Sequence, residues 1–241
     1  MISVKLVIFD MGNTLLNFHT GKHTDAEKDM FGLEHMKNYF KKNYKIDISI
    51  DKLKEEFLDK WYGDFYIRKD QLVELDVKTY VNDLIKEYGI EFQENESYNL
   101  MREFYKEYRK EVVVSNSAEV ILKELKKSGK SIAIISNCIL YDDIYKEIFI
   151  ECNLDQYIDK YVFSYSRKIR KPRVELFKEV LDTFDYINDE VVMIGDSYKA
   201  DIAPAKELGL KTIWLNRKLE KDEIYKPDIE IEDFEELSYL F

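Results

Sequence analysis

Val4-Lys5-Leu6-Val7-Ile8-Phe9-Asp10-Met11-Gly12-Asn13-Thr14-Leu15 is the stretch on which the fold turns. Apolar residues run unbroken from Leu6 to Phe9, and Asp10 and Gly12 stop the run. A short continuous apolar segment of this kind predicts a strand buried on both faces, ending here in a polar loop. The arrangement recurs downstream. Ile132-Ala133-Ile134-Ile135 runs into Ser136-Asn137, Tyr161-Val162-Phe163 precedes Lys171, and Val191-Val192-Met193-Ile194 is stopped by Gly195-Asp196. Thr212-Ile213-Trp214-Leu215 is a further strand and Ile229-Glu230-Ile231 a short edge strand.

Helix signals separate these strands. Ser117 is placed to cap a helix that ends at Gly129, and another helix runs from about Tyr141 to Glu151. Pro172 permits a helix start ahead of the apolar face Leu176, Phe177, Val180 and Leu181. Ala203 to Leu208 is closed by Gly209, and a last helix passes through Leu237. Buried strands alternating with amphipathic helices predict an α/β protein: a Rossmann-like parallel sheet core with helices on both faces.

From about Gly21 to Lys110 the texture differs. Leu33, Met36 and Phe40 recur at helical spacing, as do Leu53, Phe57 and Trp61. Val77, Val81, Leu84, Ile85 and Tyr88 form a third stripe, and Met101, Phe104, Tyr105 and Tyr108 a fourth. These stripes predict an inserted all-α helical-bundle cap over residues 16–111, with residues 1–15 and 112–241 forming the α/β core. The aromatic residues within the stripes are read as packing.

Composition narrows the function classes. The 241 residues are 45% hydrophobic and 35% charged, which suits a packed core under a charged surface. Thirty-seven Lys and Arg against 48 Asp and Glu leave a formal charge of −11, which argues against nucleic acid or anionic lipid as partners. Cys138 and Cys152 are too few for a disulfide framework, no apolar run approaches the ~20 residues of a membrane span, and Ile2 to Phe9 lacks a signal-peptide pattern. A cytoplasmic protein is expected.

In parallel sheets, ligands bind beyond the carboxyl ends of the strands. Asp10, Asn13 and Thr14 lie beyond the first strand, and Ser136 and Asn137 beyond the second. Lys171 follows the third, and Asp196, Ser197 and Asp201 the fourth. Carboxylates without Cys or His suit a hard, oxygen-liganded Mg²⁺. A lysine and a hydroxyl suit phosphoryl oxygens, and a carboxylate can serve as nucleophile.

These segments resemble the ordered motifs of the haloacid dehalogenase-like superfamily. Asp10-Met11-Gly12-Asn13-Thr14 is similar to its first motif, D-x-D-x-T, and Ile134-Ile135-Ser136-Asn137 to its second. Arg170-Lys171-Pro172 is similar to the third, and Gly195-Asp196-Ser197-Tyr198-Lys199-Ala200-Asp201 to the fourth. The resemblance implies an Mg²⁺-dependent phosphatase that releases phosphate from a small phosphorylated metabolite through an aspartyl-phosphate on Asp10. It implies Mg²⁺ held by Asp10, the Gly12 carbonyl, Asp196 and Asp201, the last directly or through water. Ser136, the Asn137 backbone N–H and Lys171 would hold the phosphoryl group, and Asn13 and Thr14 would shape the first loop at its substrate-binding side.

One position departs from the pattern. The second Asp of D-x-D, the general acid/base in family phosphatases, is Gly12 here. That role is worth typically ~10²–10⁴-fold. Family dehalogenases and phosphonatases also depart at this position, so C–X or C–P hydrolysis is the alternative, alongside a catalytically weakened relative. A phosphoryl-accepting switch of the response-regulator kind combines similar residues but in a different order. His19, nine residues past Asp10, is a candidate substitute acid against the simpler reading of a solvated side chain. Cys138 is read as a small buried hydrophobe, Lys126-Lys127 and Lys41-Lys42 as solvated helix faces, and Asp142-Asp143 as a helix start.

Overall fold

The computed structural model describes residues 3–91, 95–219, 221 and 224–241. Met1 and Ile2 of the expected core, and Phe92, Gln93 and Glu94 of the expected cap, lie outside the described residues.

Six strands form one parallel sheet: β1 (Leu6–Phe9), β4 (Ser131–Ser136), β5 (Lys160–Phe163), β6 (Val191–Gly195), β7 (Lys211–Leu215) and β8 (Ile229–Ile231). Their spatial order is β5-β4-β1-β6-β7-β8. The unbroken apolar runs are explained by burial on both sides. Leu6 and Ile8 pack with Ala133, Ile135 and Met193 on one face, while Val7 and Phe9 pack with Ile132, Ile134 and Ile194 on the other. Successive residues of a strand point to opposite faces, so a strand covered twice has no polar phase.

Two short strands, β2 (Leu16–Asn17) and β3 (Val113–Val114), pair antiparallel where the chain leaves the core and where it returns. Between them lie α1 (Asp25–Tyr44), α2 (Ile50–Leu53), α3 (Lys60–Gly63), α4 (Phe65–Gln71), α5 (Val77–Lys86), α6 (Glu96–Phe104) and α7 (Lys106–Lys110). A π-helical stretch, Lys54–Asp59, joins α2 to α3. Thr24 starts α1 with a reciprocal capping box to Glu27. All four apolar stripes face inward, with only Tyr88 half-exposed. Gly32 of α1 permits the close approach of α6, since a Cβ there would lie 2.6 Å from the Phe104 carbonyl oxygen.

The remaining helices flank the sheet: α8 (Ala118–Lys127), α9 (Asp142–Glu151), α10 (Ser164–Arg167), α11 (Glu175–Leu181) and α12 (Ala203–Glu207). Two expectations need correction. Ser117 occupies the position before α8, but its backbone is left-handed (φ 62°) and its hydroxyl turns to Glu235 instead of capping the helix. Pro172 does not open α11, which begins three residues later. The Asn137 side chain bonds both the N–H and the carbonyl of Lys171, and the chain turns there before the helix starts. The final helical segment, Phe234–Tyr239, is 3₁₀.

The helical insert also touches the core in and just after α10. Val73 pairs with Ile169, Glu74 N–H donates to the Lys168 carbonyl and Arg170 N–H to the Leu72 carbonyl. Buried Glu74 binds Arg68 at 2.6 Å and Ser164 Oγ at 2.7 Å, and Ser164 Oγ accepts the Cys138 N–H. Among the described residues, no helix is long and apolar enough to cross a membrane.

Candidate active site

Phe9 is in register with both Ile134 and Ile194, so Asp10, one residue on, and Ser136 and Asp196, two residues on, come together at the carboxyl end of the sheet. Chain order runs outward from β1 to β4 and β5 on one side and resumes at β6 on the other, which opens a crevice at that edge.

Lys171 is the fixed point of the site. Its ammonium donates to Asp10 Oδ1 at 2.6 Å, to Asp201 Oδ1 at 2.6 Å and to the Ile135 carbonyl at 2.9 Å, committing all three protons. Burial alone would lower its pKa, but Asp10 and Asp201 outweigh burial and hold it above the ordinary lysine range. Asn137 anchors the Lys171 backbone, its Oδ1 accepting the N–H at 2.7 Å and its Nδ2 donating to the carbonyl at 3.2 Å.

Ligand oxygens of Asp10, Asp196 and Asp201 lie within 4.8 Å of one another. The three carboxylates are not equivalent. Asp201 is used on both oxygens, one by Lys171 and the other by the Ser197 N–H at 3.0 Å. It packs against Gly195, where a Cβ would come within 2.5 Å of the Asp201 Cγ, so this approach requires glycine. Asp10 Oδ2 receives no hydrogen bond from the described residues, and no other described residue donates to the Asp196 carboxylate. Burial, reinforced by the neighbouring Asp10 charge, pushes Asp196 up to about 6. Burial raises Asp201 as well, against the pull of Lys171. Three carboxylates against one ammonium leave an excess of negative charge. The uncommitted oxygens are hard donors with no Cys or His among them, so these residues fit Mg²⁺.

Ser136, almost fully buried, has no hydrogen-bond partner among the described residues for its hydroxyl. With Met11, Gly12 and Asn137 it lines a cavity of about 460 Å³ whose opposite wall is the helical insert. Gly12 has space: a Cβ there meets nothing within 4 Å, and its backbone is not left-handed. Asn13 is exposed with φ 54° and lines a second cavity of about 730 Å³ with Asp196, Arg217 and Lys218. Thr14 is fully buried with Oγ1 unpartnered, so it lies within the first loop and lines neither cavity.

Arg217 and Trp214 escaped sequence reasoning. Arg217 Nη1 binds the Asn13 carbonyl, and Trp214 Nε1 donates to the Asp196 carbonyl at 3.0 Å. Both lie at the end of β7, so the strand-end rule applied to the other strands would have found them. His19 lines both cavities, with its Nδ1 3.0 Å from Asp25 Oδ1. Cys138 is fully buried, and burial pushes its thiol well up, as befits a small hydrophobe. Asp142 opens α9 and binds Ser166 and Arg167.

A sequence model of the haloacid dehalogenase-like hydrolase family matches residues 45–215. The chain is 30% identical over 148 residues to the glyceraldehyde 3-phosphate phosphatase of Pyrococcus furiosus, a match covering 55% of this chain and 60% of that one. The match thus spans less than two thirds of the relative's length. Among solved structures, a haloacid dehalogenase-type hydrolase, YfnB from Bacillus subtilis, bound to magnesium, superposes with a TM-score of 0.60 at 20% identity over 98% of both chains. The 2-haloacid dehalogenase of Pseudomonas syringae pv. Tomato DC3000 superposes with a TM-score of 0.64 at 20% identity, covering 98% of this chain and 97% of that one. Likeness at that identity speaks for the fold, while the family match covers more than half of the sequence: the chain belongs to the haloacid dehalogenase-like hydrolases.

Proposed function

We propose that this chain is a cytoplasmic, Mg²⁺-dependent phosphatase that releases phosphate from a small phosphorylated metabolite. Residues 1–15 and 112–241 would form the catalytic core, and residues 16–111 the cap that selects the substrate. The observation that carries the reading is the Lys171 ammonium 2.6 Å from both Asp10 and Asp201, beside an Asp196 that no other described residue satisfies. Metal-free dehalogenation would leave that third, costly carboxylate without a use. Relatives of known name act on phosphorylated metabolites: glyceraldehyde 3-phosphate in the Pyrococcus protein.

In this reading the Asp10 carboxylate attacks phosphorus, the bond to the leaving oxygen breaks, and an aspartyl-phosphate forms. Lys171 holds Asp10 in line and neutralises charge on the transferring group, while the Ser136 hydroxyl, free and facing the cavity, donates to a phosphoryl oxygen. Water then attacks phosphorus, the P–O bond to Asp10 breaks, Asp10 leaves as a carboxylate with inorganic phosphate, and the proton of the attacking water passes to solvent or to the group that protonated the leaving oxygen. Asp10, Asp196 and the Gly12 carbonyl would hold Mg²⁺, with Asp201 contributing through water because both its oxygens are taken. When bound, the ion supplies charge neutralisation for the phosphoryl oxygens. No carboxylate stands at Gly12, so the leaving oxygen takes its proton from water or from His19, which lines the same cavity.

Phosphate release from a panel of phosphomonoesters, with Mg²⁺ and with EDTA, tests the proposal. Release should need Mg²⁺ and disappear in Asp10→Asn. Unchanged release in the folded Asp10→Asn protein would sink it.

A further inference from the structure

The cavity above Gly12 and Ser136 has a wall of unusual composition. The insert and the segment after β4 present four tyrosines and three phenylalanines to it, Tyr62, Tyr105, Tyr108 and Tyr145 among them. Besides the tyrosines, its titratable lining consists of Asp25, Asp29 and His19; no described lysine or arginine lines it, although Lys28 lies 5.1 Å over the Tyr108 ring and Arg68 4.7 Å over the Phe65 ring. Asp25 is exposed and pairs with His19. Asp29 is different. It is 6% exposed, and both its hydrogen bonds, from Tyr62 at 2.9 Å and Tyr108 at 3.1 Å, fall on Oδ1. No described residue bonds Oδ2. The adjacent Lys28 does not compensate it, because its ammonium binds the Phe18 carbonyl at 2.7 Å and faces Glu111 at 3.5 Å. Burial accordingly pushes the Asp29 carboxyl above the usual range, against the pull of the two tyrosine hydroxyls.

A buried carboxylate without a cation is costly unless a ligand supplies the cation. Aromatic faces attract cations and offer nothing to anions. We propose that the leaving portion of the substrate is cationic: the site takes phosphate monoesters of amino or quaternary-ammonium alcohols, with Asp29 as their counter-ion and the lining rings that carry no protein cation, Tyr62 and Tyr105 foremost, as their aromatic wall. The phosphate end of this inference rests on the phosphatase reading; the cationic end rests on the cavity wall alone. Substrates carrying a second phosphate or a carboxylate at that end meet Asp29 with like charge and are disfavoured.

Binding to the Asp10→Asn protein, measured calorimetrically with Mg²⁺ present, tests the cationic end without turnover. The probes are phosphocholine, its neutral carbon isostere 3,3-dimethylbutyl phosphate, and the anionic phosphoglycolate. Phosphocholine should bind about ten- to hundred-fold more tightly than the isostere, and phosphoglycolate most weakly. Adding Asp29→Asn, which keeps an acceptor for both tyrosines, should close most of the gap between phosphocholine and the isostere. Equal binding of those two, no binding of phosphocholine, or a gap that survives Asp29→Asn overturns the proposal, and the isostere comparison needs no Asp29 variant. Wild-type turnover of p-nitrophenyl phosphate judges the other half. Charge discrimination without any phosphate release defeats the phosphatase reading alone, and release without discrimination defeats the counter-ion alone.

Discussion

Removing the charge of Asp196 should stabilise the metal-free protein. Asp196 is pushed from the usual 3.8 up to about 6 by burial and by Asp10. At about 1.4 kcal/mol per pKa step that gap corresponds to about 3 kcal/mol, and solvent screening of a partly buried group reduces it to about 1–3 kcal/mol. The sign follows from the raised value. Between pH 4 and 6 the folded chain holds a proton that the unfolded chain has released, so stability contributed by neutral Asp196 is present below pH 4 and lost as pH rises through 6. Asp196→Asn cannot ionise and escapes this loss. In EDTA at pH 7.5 the variant should therefore be the more stable protein by about 1–3 kcal/mol, or about 3–10 °C in Tm for a chain of this size. The two proteins should converge near pH 4, where titrations shared by both cancel in the difference. Mg²⁺ should raise the wild-type Tm at pH 7.5, raise it much less at pH 5, and leave the variant nearly unmoved. Urea and thermal unfolding across this pH range, with EDTA or Mg²⁺, supply the measurement. Equal stability of the two proteins in EDTA at pH 7.5, or wild-type curves that superimpose with and without Mg²⁺, would refute the reasoning.

Under the proposed function, Gly12→Asp would supply the acid absent at that position, where a Cβ meets nothing within 4 Å. Alkyl phosphate hydrolysis should rise by up to ~10²–10⁴-fold and aryl phosphate hydrolysis far less, and a leaving-group series that also includes His19→Ala shows whether His19 already fills the role. Gly195→Ala places a methyl within 2.5 Å of the Asp201 Cγ, so it should displace Asp201 and abolish turnover while far-UV circular dichroism stays native. Gly32→Ala drives a methyl to 2.6 Å from the Phe104 carbonyl, and should cost about 1–3 kcal/mol in urea unfolding as α1 and α6 separate.

Much of this molecule could be read along the chain because its strands are buried on both faces. Leu6 to Phe9 and Val191 to Ile194 have no polar phase, so their ends stand out, and the residues at those ends are the ones the sheet gathers. Thr24-Asp25-Ala26-Glu27 carries the capping-box pattern that starts α1. Other features leave no local trace. Strands of two residues, such as Leu16–Asn17, show no period. Asp29 follows Asp25, Glu27 and Lys28 on α1 and looks like a solvated position, because the tyrosines that enclose it lie 33 and 79 residues away. Pro172 looked like a helix start because the grip of Asn137 on Lys171 spans 34 residues and is invisible to a local rule.

The pairing of Val73 with Ile169 changes how the helical insert can move. A flap hung from β2 and β3 alone would swing about one axis and leave the sheet untouched. This insert has a third tether, two residues upstream of Lys171, and a fourth through Glu74 and Ser164 to the Cys138 N–H beside Asn137. A body fastened at points off a single line does not pivot freely. Any movement of the insert away from the sheet would either break that seam or drag the 168–171 segment with it, shifting the ammonium that binds Asp10. Under the proposed function, admission of a substrate and readiness of Asp10 to attack would be mechanically linked, so that a gate still ajar would also be a site not yet cocked.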